Sequence, residues 1–186
     1  TSSSLPFLSN NTAGNWIAVV VRAGRSGQAF TVTDTRGNVY RQAVQYNEIA
    51  DDVTLGIYYA ESIAGGANTV TVTDTLSGGS LRYAILEYSG VATVNSLDGA
   101  VAAQGTSATP SSGNITTTAS GDLLLGAVMS ANSTTFTAGA SFTIRDQVPA
   151  APKTKLIAED WIQAVAGSAA ATATLSAAGV WGSAVA

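Results

Sequence analysis

Polar and apolar residues alternate along much of the chain with the period of two residues that a β-strand imposes on its side chains. Threonine or serine alternates with apolar residues in segments 30–35, 69–73 and 171–176. Such alternation is typical of an antiparallel sheet with one face in the core and the other in water. Two further segments, 16–21 and 123–129, are almost continuously apolar, and we expect them to be central strands.

The remaining strands and turns follow from the same pattern. Further strands are predicted at 39–45, 53–60, 81–88, 114–118, 154–165 and 180–185. Glycine or asparagine marks turns at 36–38, 64–67, 77–80 and 111–114, and two prolines make 149–152 a rigid loop. No window has the periodicity of an amphipathic helix. The chain is therefore predicted to be all-β, with about eleven short strands.

The second half of the sequence repeats features of the first half in the same order. Residues 13–20 resemble 120–127, residues 30–34 resemble 142–146, and residues 59–65 resemble 161–167. The repeat is about a hundred residues long, which is too long for one unit of a solenoid. It suits a fold whose two halves wrap one core.

We therefore predict one domain over residues 1–186, a single two-sheet antiparallel β-sandwich that is jelly-roll-like. Its pseudo-repeats would cover about 11–90 and 114–186, and the weakly patterned stretch 91–110 would connect them. Two tandem immunoglobulin-like domains are the main alternative, because such a domain has about a hundred residues. Against that alternative, no proline-rich linker separates the repeats.

Composition restricts the partners and the location. Charged residues make up only 11% of the 186 residues, and short polar side chains take their place. That surface is typical of many secreted β proteins, so we expect an extracellular or cell-surface protein. A net charge of −4 with scattered arginines argues against nucleic acid. The chain has no cysteine and therefore no disulfides. It also lacks an apolar run of about eighteen residues, the length that a membrane-spanning helix needs.

Four motifs lie between residues 12 and 90. Thr12-Ala13-Gly14-Asn15 leads into an aliphatic strand, and a Val-x-Asp-x-x-Gly-Asn-x-Tyr turn covers 32–40. Tyr58-Tyr59-Ala60 precedes Gly-Ala-Asn-Thr-Val-Thr-Val at 66–72, and Ile-Leu-Glu-Tyr-Ser-Gly follows at 85–90. These motifs resemble β-sandwich accessory modules that are repeated in large secreted proteins of soil bacteria. The resemblance implies an accessory module, often beside adhesive or carbohydrate-active domains, and it transfers no catalytic residue.

Histidine is absent, which excludes a Ser-His-Asp triad, Cys-His catalysis and imidazole zinc sites. A pair of carboxylates, as in glycosidases, is the only familiar catalytic device that remains. The candidates are Glu87, within an apolar strand, and Glu159 or Asp160, beside Trp161. Nothing in the sequence brings two of them together, so we expect no enzyme.

Three carboxylates in one loop form the only candidate metal site. Glu48, Asp51 and Asp52 offer the hard oxygen ligands that calcium prefers. Their spacing matches no calcium-loop signature, and capping of the loop is the alternative. We therefore expect no obligatory cofactor, with calcium the one candidate.

Aromatic residues beside polar ones are the candidate ligand site. Trp161 lies next to Asp160 and near Gln163, an arrangement that suits a sugar-binding platform. Tyr58 and Tyr59 point to opposite faces of a strand, so we expect one of them to be exposed. Tyr46 belongs to the same group of candidates. Trp16 and Trp181 are expected in the core.

The sequence favours a non-catalytic extracellular β-sandwich module that binds carbohydrate, such as a polysaccharide or a cell-surface glycan. The alternative is a structural or adhesive module that acts as a spacer or self-associates into an assembly. A glycoside hydrolase that uses a carboxylate pair is a distant third.

Overall fold

The computed structural model describes residues 1–76 and 79–186, which form sixteen β-strands and no helix. The all-β prediction is therefore confirmed for the described residues. The turn predicted at 77–80 includes Ser77 and Gly78, which lie outside the described residues. No helix in the described ranges is long and apolar enough to cross a membrane.

Seven strands precede residue 90 and nine follow it. The first seven are β1 (Ser2–Pro6), β2 (Trp16–Gly24), β3 (Phe30–Asp34), β4 (Arg41–Glu48), β5 (Val53–Ala60), β6 (Thr69–Asp74) and β7 (Arg82–Tyr88). The others are β8 (Val101–Ser107), β9 (Ile115–Thr116), β10 (Asp122–Thr134), β11 (Phe136–Ala138), β12 (Thr143–Val148), β13 (Thr154–Gln163), β14 (Ser168–Ala169), β15 (Ala173–Leu175) and β16 (Gly179–Val185).

The described strands form five sheets, and every described strand pair is antiparallel. An outer sheet has the order β1-β6-β3, and the first central sheet has the order β4-β5-β2-β7. The second central sheet has the order β12-β13-β10-β16-β8. The remaining two sheets are short two-stranded ladders, β9-β14 and β11-β15.

The outer sheet follows the predicted alternation of polar and apolar residues. Val32 on β3 and Val70 and Val72 on β6 are buried, whereas Thr31 and Thr33 are exposed. The aliphatic side chains meet the first central sheet, and the threonine side chains meet water. The sequence prediction is confirmed for these two strands.

The two almost continuously apolar segments lie inside their sheets, as predicted. β2 lies between β5 and β7, and β10 lies between β13 and β16. Alternate residues of β2 belong to two different cores: Val19 and Val21 face the outer sheet, whereas Ala18 and Val20 face the second central sheet. Both faces of this strand are therefore covered, which removes any requirement for a polar face.

The sheets stack in four layers, because the two central sheets share a core. Val20, Leu55 and Ile57 of the first central sheet pack against Leu125 and Leu156 of the second. The opposite face of the second central sheet packs on the two short ladders. Twelve buried apolar side chains from both halves pack in this core, so the hydrophobic effect holds the two halves together.

The described arrangement differs from the two-sheet jelly roll that the sequence predicted. The pairings give five sheets, because each half of the chain has a large sheet of its own. The stretch 91–110, predicted as a plain connection, contains β8, which forms an edge of the second central sheet through its pairing with β16.

Candidate functional site

One end of the contact between the central sheets opens into a cleft, which we call the interlayer cleft. Its inner part is a cavity of about 270 Å³, and an adjoining groove of about 470 Å³ leads to the surface. Tyr88, Leu123 and Ile162 line both parts. The two parts therefore share one wall at the boundary between the halves of the chain.

Aromatic rings form one wall of the cavity. Trp16 begins β2 and lies opposite Tyr88, the last residue of β7, while Tyr59 comes from β5 on the other side of β2. The rings of Trp16 and Tyr59 are stacked, with centroids 5.5 Å apart and an interplanar angle of 19°. Tyr88 meets Trp16 edge to face, with centroids 6.1 Å apart. The indole Nε1 donates to Ser96 Oγ at 3.1 Å, which fixes the orientation of the Trp16 ring.

A polar set crosses the groove beside these rings. Asp160 on β13 accepts a hydrogen bond from the Tyr88 hydroxyl at 2.8 Å and one from Arg145 Nε at 2.8 Å. Burial, reinforced by the hydrogen bond to Asp160, raises the pKa of Tyr88, so its hydroxyl stays neutral and donates. The Asp160 side chain is 6% exposed and that of Arg145 is 50% exposed. Part of the Arg145 guanidinium is therefore accessible to a ligand in the groove.

The predicted residues of β13 do not share one surface. Trp161 and Gln163 point to the opposite face of the strand from Asp160, because side chains alternate. Trp161 is half-buried at the rim of the groove and contacts Phe142 edge to face at 5.9 Å. Gln163 is buried and accepts a hydrogen bond from Thr117 Oγ1 at 2.8 Å. Of Asp160, Trp161 and Gln163, only Asp160 belongs to the polar set of the groove.

The tyrosine prediction needs a correction. Tyr58 and Tyr59 are both buried, at 6% and 5% exposure, although we expected one to be exposed. Their side chains do point to opposite faces, but the first central sheet is covered on both. Tyr58 faces the outer sheet and donates to Gln45 Oε1 at 2.8 Å, whereas Tyr59 lines the cavity. Tyr46 is half-buried on β4 and does not line the cleft.

Three residues of the cleft were missed by the sequence analysis. Trp16 was assigned to the core because it begins an apolar run, yet it is half-buried and lines the cavity. Tyr88 and Arg145 gave no signal, since their partner Asp160 is 72 and 15 residues away, respectively.

The three carboxylates of the predicted calcium site point to different partners. The Glu48 carboxylate accepts hydrogen bonds from the backbone N–H groups of Ala50 at 2.6 Å and Asp51 at 3.0 Å. Asp52 accepts from the backbone N–H and the hydroxyl of Ser26, both at 2.7 Å. Within residues 1–76 and 79–186, no group of three or more aspartate or glutamate side chains converges as a metal site would require. The observed bonds are those of loop capping.

Glu87, a candidate for catalysis, holds a loop in place. Its carboxylate accepts hydrogen bonds from Asn11 Nδ2 at 2.7 Å, the backbone N–H of Thr12 at 2.8 Å and Asn15 Nδ2 at 2.7 Å. Burial opposes its ionisation, but these three bonds outweigh burial and hold the pKa of Glu87 below its ordinary value. A general acid needs the opposite shift.

Glu159, another candidate, is fully buried and lies outside the cleft. Neither of its carboxylate oxygens has a hydrogen-bond partner among the described residues. Burial, with a further contribution from the charge of Asp160, raises the pKa of Glu159 to about 8. Glu159 and Asp160 point to opposite faces of β13, so they do not act on one substrate atom.

The interlayer cleft thus combines aromatic surfaces with an Asp–Arg–Tyr set in a concave site between two sheets. Such a site suits a ligand with apolar ring faces and several hydroxyl groups. No model of a known protein family, no curated protein and no solved structure matches this chain.

Proposed function

We propose that this chain is a non-catalytic carbohydrate-binding module and that it binds one sugar residue of a glycan in the interlayer cleft. The observation that carries the proposal is the convergence of Trp16, Tyr59 and Tyr88 with Asp160 and Arg145 at one opening. The aromatic faces would meet the C–H faces of the sugar ring. The charged groups at the groove would exchange hydrogen bonds with its hydroxyl groups.

The size of the cavity supports a small ligand or the end of a longer one. An apolar cavity of about 150 Å³ holds a benzene molecule. The cavity of about 270 Å³ is therefore suited to a single sugar ring, and the groove provides an exit for the rest of a glycan chain. Trp161, at the rim, is placed to contact the next sugar residue.

The carboxylates at the groove support binding without catalysis. Glu87 and Asp160 both line the groove, but each is already engaged by hydrogen bonds from this chain. Calcium is not needed for the proposed contacts. The low charge of the chain supports an extracellular or cell-surface location.

The internal repeat belongs to the same proposal. β2 lies between β5 and β7 as β10 lies between β13 and β16, and the strands next to β5 and β13 are β4 and β12. This equal order supports two pseudo-repeated sandwich halves within one domain. It makes β12 the counterpart of β4, whereas the sequence repeat had matched residues 142–146 to β3, a strand of the outer sheet. The cleft would then be a property of the pair of halves and not of either half alone.

Replacing Arg145 by glutamine tests the site. Arg145→Gln should weaken binding to a retained polysaccharide or oligosaccharide about tenfold, because it removes a charged donor from the groove. The variant also removes the ion pair of the buried Asp160, so a moderate loss of stability is expected and binding is measured well below the Tm of the variant. Isothermal titration calorimetry, with and without calcium, follows a screen of polysaccharides on affinity gels.

Arg36→Gln is the matched control, because Arg36 is exposed on the turn before β4 and lines neither part of the cleft. Its affinity should equal that of the unmodified protein. If no glycan binds, or if Arg145→Gln binds as tightly as the control, the carbohydrate proposal fails. A structural or self-associating module would then be the better interpretation.

A further inference from the structure

Two arginines face each other at the other end of the contact between the central sheets. Arg22 on β2 is directly opposite Arg82 on β7 in the strand register. Each lies two residues from a member of the shared core, Val20 and Ala84, so both side chains point toward the second central sheet. Arg82 begins β7 and Tyr88 ends it, which places this pair about 20 Å from the aromatic wall of the cleft.

Each arginine of the pair has one buried nitrogen without the partner that such a group needs. Arg22 is only 5% exposed. Its Nε atom and the Nη1 atom of Arg82 are both buried and have no hydrogen-bond partner among the residues described. A buried guanidinium without a partner is strongly unfavourable, and like charges at directly opposed positions in a sheet add to the cost.

The surrounding charges do not compensate for the burial of Arg22 and its repulsion by Arg82. Burial, followed by the positive charge of Arg82, lowers the pKa of Arg22 to about 10, and the carboxylates of Asp51 and Glu48 offset only part of this. Partial burial and the charges of Arg22 and Arg82 also lower the pKa of Lys155 on β13. Three of the eight lysine and arginine residues of the chain therefore act on one another here.

We propose that the Arg22–Arg82 pair is a binding site for a small oxyanion, namely sulfate, phosphate or the carboxylate of an acidic sugar. Two guanidinium groups offer the forked donors that match the oxygen atoms of such an anion. Arg82 is half-buried on β7, an edge strand, so the anion would approach the pair from this edge of the sheet. The site is independent of the carbohydrate proposal, because it uses none of the residues of the cleft.

Thermal unfolding in low concentrations of sulfate tests the site. At constant ionic strength, set with sodium chloride, 10 mM sodium sulfate should raise the Tm of the unmodified protein by about 3 °C. Arg82→Gln should abolish the rise. Arg36→Gln, which removes an exposed arginine elsewhere, should keep it. The comparison between these variants cancels the general stabilising effect of sulfate on proteins.

A second variant and a second anion complete the test. Arg22→Met keeps the length of the side chain, so in chloride its Tm should equal or exceed that of the unmodified protein, and it should not respond to sulfate. Sodium glucuronate, with glucose as the neutral control, shows whether the site takes sugar carboxylates as well as the free inorganic ion. The proposal is overturned if neither anion raises the Tm. It is also overturned if Arg82→Gln responds as fully as the unmodified protein.

Discussion

Glu159 occupies the centre of β13 with no solvent exposure, opposite Gly126 on β10. A Cβ atom at position 126 would lie 2.8 Å from Glu159 Cγ, so the glycine provides the space that the glutamate side chain occupies. Because neither carboxylate oxygen has a partner among the described residues, the neutral acid is the form that this core accepts.

Stability should therefore depend on pH through Glu159. Its pKa is about 8 in the folded chain and about 4.5 when unfolded, so the folded state binds the proton more tightly. The resulting stability is fully present below pH 4.5 and is lost as the pH rises to about 8. Between pH 5 and pH 9 the loss should be on the order of a few kcal/mol. Urea unfolding of the protein and of Glu159→Gln at each pH measures this loss as the change in the difference between their free energies of unfolding.

At low pH the stability of the protein also depends on other carboxylates. Their effect cancels when the protein is compared with Glu159→Gln. Hydrogen bonds that outweigh burial lower the pKa of Glu87 and of Asp34, so both add stability that is lost as the pH falls. Both groups are present in each protein. A difference between the protein and Glu159→Gln that did not change with pH would contradict the assignment.

Only part of the candidate site could be predicted at the scale of residues. Asp160 and Tyr59 were among the expected ligand residues, and both line the cleft. The groups that complete it, Trp16, Tyr88 and Arg145, come from three other strands. Period-two alternation indicates the face of a strand on which a residue lies, but it does not indicate which strand lies opposite.

At the scale of elements, carboxylates in two of the sequence motifs hold loops in place through hydrogen bonds. Glu87 at the end of β7 holds residues 11–15 before β2. Asp34 at the end of β3 accepts hydrogen bonds from the side chains of Asn38, Tyr40 and Asn68. Both motifs therefore have a structural explanation that requires no ligand.

Removing the Glu87 carboxylate should loosen one loop and lower the stability of the whole domain. Glu87→Ala leaves three donors without their acceptor, and we expect a loss of about 1–2 kcal/mol, given that the group is only half-buried. The amide of Thr12 should exchange with deuterium faster than before. Asn132→Ala, at an exposed position near the end of β10, is the control. Equal effects of the two variants on stability and exchange would contradict the role of Glu87.

Strands with strong patterns could be predicted, and weakly patterned ones could not. β5 covers the predicted segment 53–60, and β16 begins one residue before the predicted 180–185. β1, β8, β11, β12 and β14 were not among the predicted strands. β1 is exposed along its whole length and pairs its serine hydroxyls with Thr71 and Thr73 of β6. β8 is formed by a register of seven residue pairs with β16 that no local pattern encodes.

At the scale of the whole molecule, the core between the central sheets decides how the chain unfolds. Twelve buried residues from both halves meet there. The sequence indicated that β2 and β10 are central, but it could not indicate that each half covers a face of the other. A continuous apolar run indicates that both faces of a strand are buried, but it does not indicate which part of the chain buries them.

The two halves should therefore not fold separately. The full chain is expected to unfold in one cooperative thermal transition, whereas the fragments 1–90 and 97–186 should each bind a hydrophobic dye and associate. The reason is that each fragment exposes the apolar sheet face that the other would cover. Calorimetry and size-exclusion chromatography measure this. Two separate transitions, or two monomeric folded fragments, would show that the halves are independent domains.

The same shared core has a consequence for synthesis on the ribosome. The first central sheet is complete once Tyr88 has emerged, but the strands that cover its second face end only at Val185. At about 5–20 residues per second, roughly five to twenty seconds separate the two events. During that interval the nascent chain carries an uncovered face that includes Val20, Leu55 and Ile57. That face therefore stays open to water, or to a chaperone, until the strands that cover it have emerged.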